Sequence, residues 1–144
     1  MYDESSTAGW DRLRRLLERQ LGSLPVGWFV IAERTDSSPD VIYVQAARDA
    51  DCLWCEAVGP TNRAVGVRPP SPSALLAAGW SLADEEHVNH WAEIAGPAAE
   101  PIAAELLVCT LKSLYKVDDS RHVEVTVGQF PEPPDGGLHL RQAS

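Results

Sequence analysis

The stretch "DCLWCEAVG", residues 51–59, supports two readings that lead to different proteins. Cys52 and Cys55, with two residues between them, suggest a zinc or redox pair. The β-forming residues around them suggest a strand. Side chains alternate between the two faces of a strand, so residues three apart point to opposite sides. Two thiolates so placed cannot share one zinc or close a disulfide without breaking the strand. A thioredoxin-type pair also sits at a helix start, where the dipole lowers the thiol pKa, and no helix follows here directly. The segment therefore reads as a strand, with Cys52, Trp54, Glu56 and Val58 on one face and Leu53, Cys55 and Ala57 on the other. The chain's three cysteines are an odd set and are expected as free thiols.

Upstream, "VIYVQAA" (41–47) and "GWFVIAE" (27–33) are two further strands, separated by the polar turns "RDA" and "RTDSSPD", so the three form an antiparallel meander. Before them, Trp10, Leu13, Leu16, Leu17, Leu21 and Leu24 recur at helical spacing, with Gly22 and Pro25 as stop signals. Arg12, Arg14, Arg15 and Arg19 fall mostly on the opposite side. They read as a solvated helix face, the sharper alternative being a basic patch for an acidic ligand.

Downstream, residues 59–73 are punctuated by Pro and Gly and form a loop. "SALLAAGW" is a short helix, capped by Ser71 or Ser73 and ended by Gly79. The segment 81–96 is ambiguous between a helical turn and an irregular crossing. A long helix runs from Pro97 or Pro101 to Tyr115, with Ile102, Leu106, Cys109 and Ser113 on one face and Leu107, Val108, Leu111, Leu114 and Tyr115 widening the stripe. "HVEVTVGQF" (122–130) alternates as a last strand. These elements predict one α+β domain over 1–130, an antiparallel sheet of about four or five strands packed against helices in the order helix-strand-strand-strand-helix-helix-strand. Residues 131–144 read as a Pro/Gly-rich flexible tail.

With 144 residues the chain is long enough for a core without metal or disulfide support, and its net charge of −9 excludes nucleic acid as the main partner. No run approaches the roughly 20 apolar residues of a membrane span. The start, "MYDESSTAGW", lacks the basic and apolar parts of a secretory leader, which makes the cytoplasm the expected location. His87 and His90 could share a metal on a helix, with Cys109 or Glu93 as further ligands, but they lack the spacing of a metalloprotease helix. No G-x-S-x-G nucleophile elbow is present. The residues thus point to a binding protein without catalytic residues, cofactor or metal. A small metal-binding protein or enzyme using His87/His90, and a structural subunit of a larger assembly, are the alternatives. Of the five tryptophans, Trp80 and Trp91 fall outside the expected strands and are the candidates for partner contact.

The segments "YVQAARDADCLWCEAVGPTNR" (43–63), "LLAAGW" (75–80), "NHWAEI" (89–94) and "IAAELLVCTLKSLYKVDDSRHVEVTV" (102–127) occur in an order that resembles actinobacterial proteins grouped with type III secretion chaperones and YbjN-like proteins as peptide-binding chaperones. In that pattern a strand runs into Glu-Ala-Val and Gly or Ser, a short helix ends in Gly-Trp, a polar stretch carries an Asn and an aromatic, and a long helix leads through Tyr-(Gly/Lys)-Val into a final strand. This chain has Lys116 where glycine is expected, and "SLADEE" in place of a Pro-rich element after Gly-Trp. The resemblance implies an α+β fold, a non-catalytic chaperone or adaptor role towards a peptide segment of a client protein, and a homodimer as one arrangement.

Overall fold

In the computed structural model, residues 4–36, 39–64 and 68–130 are described; the tail expected at 131–144 lies outside them. The first three segments rich in β-forming residues produce β1 (Trp28–Arg34), β2 (Tyr43–Arg48) and β3 (Leu53–Ala57), paired as an antiparallel meander. The β2–β3 turn is tight, the Asp49 N–H donating to the Cys52 carbonyl at 2.9 Å. The last strand, β5 (Val123–Gln129), returns beside β1.

The ambiguous segment 81–96 holds a fifth strand, β4 (His90–Ile94), paired with β3 from Leu53↔Ile94 to Ala57↔His90. "HWAEI" is short and follows a polar stretch, so its own pattern is weak; pairing with the free edge of β3 makes it a strand. The sheet order is β4-β3-β2-β1-β5.

The register sorts the side chains into two faces. Val30, Ala32, Val44, Ala46, Leu53, Cys55, Ala57 and Ala92 are buried on the face covered by helices. The opposite face carries Trp54 and Glu56 on β3, and Trp91 and Glu93 on β4. Val58, expected to share the side of Trp54, lies past the end of β3 and is buried in the core, with its N–H on the Tyr43 carbonyl.

Helix α1 (Glu4–Gly22) begins earlier than its apolar stripe and buries Trp10, Leu13, Leu17 and Leu21. Arg14 and Arg15 on its outer side pair with Asp11, and Arg14 also reaches Glu18, as a solvated helix face does. Helix α2 (Pro72–Ala78) is capped by the Ser71 hydroxyl, which accepts the Ala74 N–H, and ends at Gly79 in the left-handed region, φ 115°. Helix α3 (Ala99–Cys109) packs against α1 and stops short of its expected end. Residues Thr110–Leu114 widen into a π turn. Its cause is local: the Thr110 hydroxyl donates to the Leu106 carbonyl at 2.7 Å and so intrudes on the backbone ladder. Arg48 ties both long helices to the sheet, donating to the Leu21 carbonyl (2.8 Å) and to Glu100 (2.6 Å).

Trp80 is corrected here from a partner-contact candidate to a core residue. It is 2% exposed, and its indole N–H donates to the Thr110 hydroxyl at 2.9 Å. The left-handed turn at Gly79 sends the chain back beneath α3, so a tryptophan outside any regular element is buried.

Leu107 is fully buried, whereas its neighbour Leu106 is half-buried at the helix edge. Truncating Leu107 to Ala should cost about 2–5 kcal/mol in urea unfolding, and Leu106→Ala clearly less. Equal losses would mean that α3 is rotated from its position here.

Candidate functional site

The short sequence motifs converge on one buried side chain, Asn89, which is 2% exposed. Its amide nitrogen donates to Glu56 (2.9 Å) and to the Tyr43 hydroxyl (3.0 Å), and its amide oxygen accepts the Gly59 N–H (2.9 Å). A Cβ on residue 59 would lie 1.8 Å from the Val88 carbonyl oxygen, so only glycine fits there. The Tyr115 hydroxyl donates to the Val58 carbonyl at 2.6 Å. Glu56-Ala57-Val58-Gly59, Asn89 and Tyr115 are thus one packed unit that sets how the chain enters β4.

That entry places Trp91 on the open face of the sheet, stacked on Trp54 with centroids 5.2 Å apart and planes 5° from parallel. His87 stacks on Trp91 at 4.8 Å, and its Nδ1 lies 3.0 Å from Asp84. The Trp54 indole N–H donates to Glu56, while the shielded Trp91 indole N–H has no acceptor. His90 belongs to the opposite, helix-side face. Its Nδ1 accepts the Ala83 N–H, and burial lowers its pKa. His87 and His90 therefore do not converge on a common ion.

The three cysteines are free thiols. Burial pushes the Cys55 thiol up to about 12. Burial, and then the carboxylates of Glu93, Asp49 and Asp51, raise that of Cys52. Cys109 is exposed. Neither Cys52 nor Cys55 has the lowered pKa of a reactive thiolate.

The remaining feature is a groove of about 550 Å³ between the end of α2, the outer edge of β4 and the exposed side of α3. Its walls are mostly apolar, built from Ala78, Ala92, Ile94, Ile102, Leu106 and Cys109, with Glu93 and Glu105 also among its lining residues; the Glu93 side chain belongs to the opposite face of the sheet. Ile102, Leu106 and Cys109 are the face of α3 that the sequence marked as one stripe. Here it turns outward, with Ile102 53% exposed. At the β4 edge, Trp91 exchanges both backbone hydrogen bonds with Ser81 (2.8 and 3.0 Å). Strand alternation turns the Glu93 N–H and C=O to that same outer side, beyond the Ser81 bridge.

Sequence reasoning marked the α3 stripe and set Trp91 outside the strands, whereas Trp91 lies in β4. It missed β4, Asn89 and the groove, and the Asn and aromatic of the family pattern were the only signal for them. Among the described residues no three His, Cys, Asp or Glu side chains cluster as metal ligands, and no helix is long and apolar enough to cross a membrane.

The site is thus an apolar groove along the edge of a helix-backed antiparallel sheet. The profile of the family described as T3SS (YopN, CesT) and YbjN peptide-binding chaperone 3 matches residues 3–128, and the chain belongs to this family. No curated protein and no solved structure gives a significant match.

Replacing Asn89 by Ala would strip acceptors and donors from Gly59, Glu56 and Tyr43 together. The expected loss is about 2–4 kcal/mol in chemical unfolding, because each buried group left unpaired carries its own desolvation cost. A loss under about 0.5 kcal/mol, the ordinary scale of a surface change, would remove Asn89 from this role.

Proposed function

We propose that the protein is a non-catalytic cytoplasmic chaperone or adaptor, and that the groove beside β4 holds an extended segment of a client. The observation that carries this reading is the exposed Ile102–Leu106–Cys109 stripe next to backbone groups of a sheet edge. An added strand could hydrogen-bond at Glu93 and set alternate side chains among Ile94, Ile102 and Leu106, the mode of recognition in which the main chain supplies affinity and the pockets supply selectivity. Glu105 beside the groove, in a chain of net charge −9, favours clients that alternate apolar with basic residues. Trp91, half-buried beside Trp54 on the other face, is a second client contact in this reading.

A second copy of the chain is the competing occupant, since a two-fold dimer would bring this patch against itself. Glu105 disfavours that arrangement: it would bring the Glu105 carboxylates of both copies to one apolar seam.

Cys109 serves as a built-in reporter. A synthetic peptide of alternating valine and lysine should slow maleimide labelling of Cys109 severalfold and leave Cys52 unaffected. Ile102→Asp, at a half-exposed position, should abolish the protection while the fold survives. Unchanged labelling of Cys109 at saturating peptide would reject the groove. Light scattering separates the two occupants: a mass of one chain supports the client, and a mass of two that reverts with Ile102→Asp assigns the groove to self-association.

A further inference from the structure

In this acidic chain a cleft among the described residues is bordered by cations. It measures about 420 Å³ and lies between the segment before α2 and the π turn after α3. Arg63, Arg68 and Lys116 line it together with Ser71, Ser113 and Tyr115, and no Asp or Glu is among its described lining residues. Both Arg68 and Lys116 are exposed.

Two independent features mark it as more than a chance grouping. The first is Arg63, whose side chain is only 7% exposed. Its Nε and Nη2 donate to the Asp40 carboxylate at 3.2 and 2.5 Å, and its guanidinium lies 5.0 Å over the Tyr115 ring. Its Nη1 is shielded and donates to no acceptor. Buried donors are nearly always paired, and Arg63 lines the cleft, so an acceptor oxygen lodged against its guanidinium would satisfy this N–H. Burial works to raise the Asp40 pKa, but the hydrogen bonds from Arg63 and Ala64 and the charges of Arg63 and Arg34 outweigh it, so Asp40 stays ionised beneath the guanidinium.

The second feature is Lys116. It has φ 61°, and it is the only non-glycine with positive φ among the described residues. This left-handed conformation suits glycine and strains a residue with a Cβ. A backbone outlier that carries a charge to the rim of a cleft is the kind of strain that collects at functional positions.

We propose that this cleft is an oxyanion-binding site for a phosphoryl or carboxylate group of a ligand. Arg63 Nη1 is its buried donor, the Ser71 and Ser113 hydroxyls stand along its wall, and Arg68 and Lys116 supply charge at the mouth. A guanidinium suits such a group because it offers several donors in a fixed planar fork. The site is separate from the apolar groove and stands or falls independently of client binding there.

The test is a nuclear magnetic resonance titration of the full chain with inorganic phosphate, at constant pH and ionic strength, with acetate titrated in parallel. Saturable shifts are expected at the amides of Arg68, Ser71, Ser113 and Lys116, with Ile102 and Leu106 unmoved. The double substitution Arg68→Gln, Lys116→Gly removes two exposed charges and relieves the φ strain, so the fold should persist. It should weaken phosphate binding at least about tenfold, as loss of two charge-assisted contacts implies. Shifts that never saturate, or equal affinity in the double variant, would overturn the proposal. Phosphate binding about tenfold tighter than acetate assigns a phosphoryl group, and comparable affinities assign a carboxylate, the dianion gaining the more from paired charges.

Discussion

A primary amide in the protein interior must satisfy both its oxygen and its nitrogen, because each group left unpaired there costs far more than it does in water. Asn89 meets this demand with partners from three places: Tyr43 on β2, Glu56 on β3 and the Gly59 backbone just past β3. Moving β4 by one residue along β3 would break all three at once, and would also turn Trp91 from the open face into the core. The register Glu56↔Trp91 is thus held by polar bonds next to it as much as by the sheet ladder. The close approach of Gly59 to the Val88 carbonyl completes the lock, since no side chain could be interposed. Through this register the edge at Glu93 comes to lie beside Ile102 and Leu106, and the groove exists.

Much of the architecture was legible where the pattern is local. The β-forming segments of β1, β2 and β3, the alternation of β5, the stripe of α1, and the Ser71 and Gly79 caps of α2 each follow from neighbours in sequence. What escaped depends on distant partners. "HWAEI" has no strong pattern of its own and becomes a strand because β3 offers an unpaired edge. Trp80 looked available because it follows a helix, yet one left-handed residue, Gly79, turns it under α3. The Ile102 stripe was visible as apolar spacing, but spacing cannot say whether a face is covered; that is settled by where α1 and the sheet end.

The two surfaces proposed for binding differ in chemistry because they take opposite ends of the same helical segment. Glu105 and the apolar stripe belong to the regular turns of α3, where Glu105 is open to solvent beside the groove and Arg14 approaches it at 4.0 Å. Ser113, Tyr115 and Lys116 belong to the widened turn and its exit. In an acidic chain this separation matters: Asp40 already offsets the charge of Arg63, so the field at the cleft rests on Arg68 and Lys116, and screening by salt leaves effects of about 10 Å range at most.

Thr110 links the two surfaces. Its hydroxyl has one proton, which goes to the Leu106 carbonyl, and a lone pair, which accepts the Trp80 indole N–H. The first bond loosens the α-helical ladder, and the Tyr115 N–H then closes on the Thr110 carbonyl, five residues back. That extra residue per turn sets the direction in which Tyr115 reaches the Val58 carbonyl and Lys116 emerges at φ 61°. The second bond fixes Trp80 directly after the Ala78–Gly79 wall of the groove. One buried hydroxyl therefore positions the end of α2 on one side and the strained lysine on the other. Trp80, which touches neither ligand site, holds both in place through its single hydrogen bond and its packing under α3.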